Sequence, residues 1–346
     1  QDSSFTVRGA QEASAEALPA YRAYGREGNL QLREFDCGHD YNQPMREALY
    51  GFVLKHLNGE GDSSPTAEPA LALEPHDSPA LRCFESGHVP PTTATVRSLA
   101  RQDAAALRDR LPPVGGADRA ALREVLAWPA GALPAATPEP VSGDSRPGDP
   151  EKLLLRTADG VALPGLLLRA GAEAPTAVVI DENGAQSALD ATPTPALRES
   201  GWNVLALDLR GWGETRGNAH LLATDSLLWG KPLVTQRALD LLAAVAHLRT
   251  RGDLGQPLVL LANGPSAAMV CLVASALGGG FAAVAVNGLP ESLLDLFDVG
   301  VPADGAVWNL LTAADVPHLK ALSGCPARSP FGPVEDLTAW ARQAAE

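Results

Sequence analysis

Two places in the sequence carry residues at a spacing that could support nucleophilic chemistry. The first is the stretch 257–275, which reads as a short apolar run, a sharp turn at Asn263-Gly264-Pro265 and a helix of small apolar residues. A strand, tight turn and helix is the setting in which a catalytic serine is mounted, on a turn reading G-x-S-x-G. Laid on Ala262 to Ser266, that pattern puts its central position on Gly264, which has no side chain to attack with. Gly264 therefore reads as a degenerate nucleophile elbow, its glycine relieving the positive φ that elbows require. The nearest hydroxyl is Ser266, two positions late, in the first helical turn where serine is an ordinary residue.

The second place is Cys37-Gly38-His39-Asp40-Tyr41-Asn42, a polar turn between an apparent strand at 30–36 and a helix. Asn42 or Gln43 can cap that helix, Pro44 suits its first turn, and Asn58-Gly59 ends it. A histidine on such a loop is placed to act as a general base. Around the first place, Asn183 and Gly184 follow the apolar strand 176–180 and stand where a loop donating N–H groups to an oxyanion would be. Asp208 and Glu214 could supply an acid, but a strand-end carboxylate usually accepts from nearby backbone N–H groups instead. His220 and His318 read as surface or cap residues.

Composition narrows the function classes. The chain has 346 residues, a net charge of −14 and a pI near 4.9, which argues against a nucleic-acid or anionic-membrane partner. No run of about eighteen apolar residues exists to span a membrane. Cys37, Cys83, Cys271 and Cys325 are widely spaced without C-x-x-C, and read as thiols rather than a zinc site or disulfide framework. The acidic residues show no metal-site spacing, and no cofactor motif is present, so neither a metal nor a cofactor is expected. Lysine is scarce, at positions 55, 152, 231 and 320. The start at Gln1 rather than Met suggests removal of an N-terminal piece.

The elements that must position these residues alternate. A hairpin is expected around Asp159-Gly160, strands at 176–180, 202–208 and 281–286, and helices at 195–200 and 236–249. Strands alternating with helices imply an α/β fold, a mostly parallel sheet with helices on both faces. After Lys320 no further strand carrying an acid or a histidine loop is expected. Residues 60–150 read as a connector with short elements, including a short strand at 81–84, helices near 96–111 and 122–126, and a Pro/Gly/Ala-rich linker at 130–150.

Gly38 to Tyr50 resembles the end of the acetyl xylan esterase-like α/β-hydrolases, with a final histidine, a Tyr-Asn pair and a Met-Arg-Glu-Ala helix. Gln1 to Thr6 is similar to the segment that carries the acid of the triad in that family. The loop Asp208-Leu-Arg-Gly-Trp-Gly-Glu-Thr215 also resembles the one that follows the fourth strand in α/β-hydrolases. The resemblance implies an α/β-hydrolase-like fold, His39 as base and Asp2 as orienting acid. It further implies a carbohydrate ester substrate and export, secreted or periplasmic. The chain would comprise a hydrolase C-terminal segment at 1–59, a connector at 60–150, and a second hydrolase-like domain at 151–346 lacking the nucleophile and the final histidine strand.

Three readings follow. In the first, a carboxylic ester hydrolase of acetyl xylan esterase type receives its serine from a second chain or upstream domain. In the second, the chain is a catalytically inactive pseudo-hydrolase that serves as a binding or assembly scaffold. In the third, a permuted hydrolase pairs Ser266 with His39.

Overall fold

The structure, a computed structural model, describes residues 6–84, 86–142, 146, 148–300, 303–331 and 334–344. Asp2 lies outside the described residues. The chain divides into two compact units, Gln1–Thr93 and Ala94–Glu346.

The first unit is built on α1 (Val7–Ala23) and α2 (Gln43–Val53). Thr6 caps α1 by accepting from Gly9 N–H at 3.1 Å, and Asn42 caps α2 by accepting from Met45 N–H at 3.2 Å. Gly59 ends the turn after α2 in the left-handed conformation, φ 78. Polar contacts hold the following segment against α2: Arg46 grips both oxygens of Glu68, and the Tyr50 hydroxyl donates to it at 3.0 Å. The strand expected at 30–36 is not formed. A strand is stable only in a ladder, and this run has no paired neighbour among the described residues. The short strand expected at 81–84 is likewise absent; Pro79–Leu81 is a 3₁₀ turn.

The second unit holds the core. It opens with α3 (Val96–Arg108) and α4 (Arg119–Val125), followed by β1 (Thr137–Glu139), β2 (Glu151–Arg156) and β3 (Ala162–Leu168). Next come β4 (Thr176–Asp181), α5 (Ala185–Asp190), α6 (Thr194–Glu199), β5 (Asn203–Leu207) and α7 (Ala219–Leu228). The chain continues with α8 (Leu233–Thr250), β6 (Leu258–Asn263), α9 (Pro265–Gly278), β7 (Ala283–Asn287) and α10 (Leu296–Val299). It closes with α11 (Val316–Leu322), β8 (Ala327–Arg328) and α12 (Val334–Gln343).

The eight strands form one sheet in the order β1-β2-β3-β5-β4-β6-β7-β8. The three pairings from β1 to β5 are antiparallel and the rest parallel. The middles of the central strands are apolar because both faces are covered. Along β4, Val178 and Ile180 enter the core shared with α8 and α9, while Ala177 and Val179 enter the one shared with α5 and α6. Along β6 the same alternation sends Leu260 and Ala262 one way and Val259 and Leu261 the other.

After Lys320, β8 pairs parallel with β7 through Ala327 and Arg328 and carries neither an acid nor a histidine. One feature departs from expectation. Residues 96–139, read as connector, supply helices and an edge strand to the second unit. Leu122 and Leu126 are fully buried in its larger core. Arg119 ties α4 down by donating to the carbonyls of Ala276 and Leu322. Replacing Leu126 with Ala is therefore expected to cost about 2–5 kcal/mol, as for other buried leucines. Urea denaturation would measure it; an unchanged midpoint would return residues 94–150 to the role of linker.

Candidate functional site

Gly264 joins β6 to α9 with φ 98 and ψ 149, a region that is essentially restricted to glycine. Its N–H donates to Asn287 carbonyl oxygen at 3.1 Å, which fixes the elbow against the end of β7. A Cβ at Gly264 would lie 2.5 Å from Glu182 Cδ and 2.6 Å from its Oε2. The space of a nucleophile's side chain is thus filled by the carboxyl group of Glu182, the residue that follows β4.

Glu182 is held there by the start of α9. Its Oε2 accepts from Ser266 N–H at 3.0 Å, and the nearby Ala267 amide also favours its charged form. A carboxylate on the free amides at a helix start is a favourable arrangement. The residue after the elbow, whose N–H would donate to an oxyanion, is Pro265, which has none. The loop after β4 is similarly engaged. Asn183 N–H donates to Asp181 Oδ1 at 2.7 Å, and Gly184 N–H donates to the Asp181 carbonyl at 3.0 Å. In this arrangement the N–H groups of Asn183 and Gly184, the candidates for an oxyanion loop, are directed at Asp181.

Ser266 sits behind the elbow, 1% exposed, with its hydroxyl donating to Asp304 Oδ1 at 2.9 Å. Asp304 Oδ2 accepts from Trp212 Nε1 at 3.0 Å and from Arg237 Nη1 at 2.9 Å. The Arg237 guanidinium stacks over the Trp212 ring at 4.0 Å and donates from Nε to the Arg210 carbonyl at 3.0 Å. Burial alone would raise the Asp304 carboxyl, but Arg237 with the Trp212 and Ser266 donors brings it below the ordinary range. Burial raises the Glu182 carboxyl; the amide donors oppose this, and the charges of Asp304 and Asp181 add to it.

Asp208 is structural, as a strand-end carboxylate should be. Its two oxygens accept from Ala185 N–H at 2.6 Å and Glu214 N–H at 2.8 Å. A Cβ at Gly213 would stand 1.9 Å from Asp208 Oδ1, so the glycine in that loop is required by close approach.

Among the described residues of the second unit, no histidine stands at this elbow. In the second unit His318 caps α11, accepting from Asp315 N–H at 3.2 Å, with Nε2 at 2.9 Å from the Pro112 carbonyl. It is a cap, as read, but a buried one. His220 is exposed on α7, and His247 lies in the last turn of α8. His39 belongs to the first unit, exposed on the turn before α2. Glu182, Asp304 and Arg237 were not singled out by sequence reasoning. The signals were present: an Asp181-Glu182 pair ending an apolar strand, and Gly-Pro where nucleophile and oxyanion donor would be.

Among the described residues no cluster of three or more His, Cys, Asp or Glu could hold a metal ion, and no helix is long and apolar enough to cross a membrane.

No protein-family model and no curated protein matches the chain. Solved structures do. A candidate acetyl xylan esterase of Bacteroides fragilis is 14% identical with a TM-score of 0.52, over 69% of this chain and 76% of that one. Acetyl xylan esterase 1 of Thermoanaerobacterium sp. is 13% identical with a TM-score of 0.44, over 70% and 98%. That of Paenibacillus sp. R4 is 13% identical with a TM-score of 0.38, over 73% and 95%. With the mostly parallel sheet, the first of these likenesses shows an α/β-hydrolase fold.

A carboxyl whose pKa is raised on folding contributes stability at low pH, and that contribution is lost as pH rises from the ordinary range through the folded value. Glu182→Gln keeps an acceptor for Ser266 N–H and removes the titration. Its stability relative to the parent should rise between about pH 4 and pH 8. Urea midpoints at both ends would check this; parallel pH profiles for the two proteins would refute it.

Proposed function

We propose that residues 94–346 form a non-catalytic α/β-hydrolase-fold unit, a pseudo-hydrolase kept as a binding or assembly scaffold. The observation that carries this reading is Glu182, whose carboxyl group occupies the nucleophile's space and takes the Ser266 amide at the start of α9. Three further features support it. Gly264 has a backbone conformation that a serine would adopt only under strain. Pro265 offers no oxyanion donor, and the unit's histidines lie at α7, α8 and α11 rather than at the elbow. Oxyanion donors alone are worth roughly a hundredfold to a thousandfold in rate, so losing them with the nucleophile leaves no partial machinery.

A second reading draws on the first unit. His39 is exposed on a turn leading into an Asn42-capped helix, in the Gly-His-Asp-Tyr-Asn context described above. In that reading His39, with Asp2 as acid, serves a carboxylic ester hydrolase of acetyl xylan esterase type. The serine comes from a second chain or upstream domain, the substrate is a carbohydrate ester, and the protein is exported. The permuted alternative has less support, because the Ser266 hydroxyl is buried and directed at Asp304.

Treatment with a fluorophosphonate serine probe, mapped by mass spectrometry, separates these readings. The scaffold predicts no adduct on the folded chain, and no p-nitrophenyl acetate turnover by Gly264→Ser. An adduct on Ser266 that is lost on His39→Ala would overturn it in favour of the permuted enzyme. Labelling of a co-purifying chain in a His39-dependent manner would establish the split esterase.

A further inference from the structure

The segment between α4 and β1, expected as linker, is a strap across α8. Ala127 has φ 47, left-handed for a non-glycine residue, and turns the chain out of α4. The strap is pinned at both ends to α8: Thr235 Oγ1 donates to the Leu126 carbonyl at 2.7 Å, and Ala136 N–H donates to the Ala243 carbonyl at 2.9 Å. The two anchors are separated by about 12 Å of helix. The chain between Leu126 and Ala136 could reach about 33 Å if extended. The surplus length bows outward and leaves a cavity of about 440 Å³.

That volume is in the range of small-ligand sites, which are mainly apolar with a few placed polar groups. Ala130, Leu133, Pro134, Leu239 and Ala243 supply the apolar lining. Nearly every polar group around it already has a partner. Arg210 grips both oxygens of Asp240 at 2.7 and 2.6 Å and reaches Asp159 at 3.0 Å and Gln236 at 2.8 Å. Thr157 donates to Asp159, Gln236 to the Lys231 carbonyl, and Thr235 to the strap. The exception is the Lys231 ammonium, which has no hydrogen bond or ion pair among the described residues.

We propose that this cavity binds a small carboxylate with an apolar body, its chain under the strap and its head on Lys231. The polar head must be an acceptor because Lys231 can only donate, and an anion gains most from a charge-assisted bond. The site is separate from the elbow, and the proposal stands whether or not the elbow is catalytic.

Isothermal titration of the full chain with sodium hexanoate and with 1-hexanol tests it. Hexanoate should bind saturably at one site, with hexanol about tenfold weaker. Lys231→Ala should lose the same factor, Lys231→Arg should recover most of it, and Ala132→Trp should fill the cavity and abolish binding. Lys231 and Ala132 are both exposed, so circular dichroism should show folded variants. Absence of saturable hexanoate binding, equal affinity for hexanol, or an unchanged Lys231→Ala would each overturn the proposal.

Discussion

The Asp304 carboxylate is where four segments of the second unit meet. It receives Arg237 from α8, Trp212 from the loop after β5 and Ser266 from α9, and it stands on the turn Ala303–Gly305. The constraint comes from Arg237, whose side chain is 0% exposed and whose Nη2 has no partner among the described residues. A buried guanidinium must be compensated, and removing one partner of such a pair is far more costly than never having built it. Trp212 adds a ring face to the same cation and a donor to the same anion. The turn at 303–305 therefore cannot lift from the elbow without exposing a charge to an apolar core.

That packing explains why Ser266 makes a poor nucleophile. Gly305 lies so close that a Cβ there would stand 2.7 Å from Ser266 Oγ. The hydroxyl is enclosed, and its proton points at a carboxylate already shared by two other donors. A nucleophile needs an exposed oxygen and a base free to receive its proton. Ser266 instead works as a clamp between α9 and the Asp304 turn.

Much of the frame could be read from residue order. Strands β4, β6 and β7 are short, mainly apolar runs ending at polar residues, the pattern of a strand buried on both faces. Gly264 could be located because the elbow is a local motif. Glu182 could not be assigned its role in that way. Its carboxylate reaches α9 only because β4 pairs beside β6, bringing Asp181 into register with Asn263, and that neighbour relation is non-local. Asp304 meets Ser266 across thirty-eight positions for the same reason. Leu30–Asp36 has the composition of a strand, but composition cannot supply the partner that a ladder requires. The Pro/Gly/Ala-rich strap has the composition of a linker, and only its anchors on α8 make it a wall.

In the scaffold proposed above, the interactions that settle the elbow are also the ones that would disarm it. A working site keeps polar groups incompletely satisfied and backbone strained, at a cost to stability that the rest of the fold offsets. Here those costs are relieved one by one. Glycine removes the steric penalty at positive φ, proline fits the first helical turn, and Glu182 satisfies the Ser266 amide at the start of α9. In that reading each feature is favourable alone, and each stands where a catalytic part would be. Glu182 retains one residual tension, because its carboxyl faces Asp304 and Asp181 in a partly buried place. The Ser266 amide opposes that tension, so the same contact that closes the elbow favours the charged form of the acid.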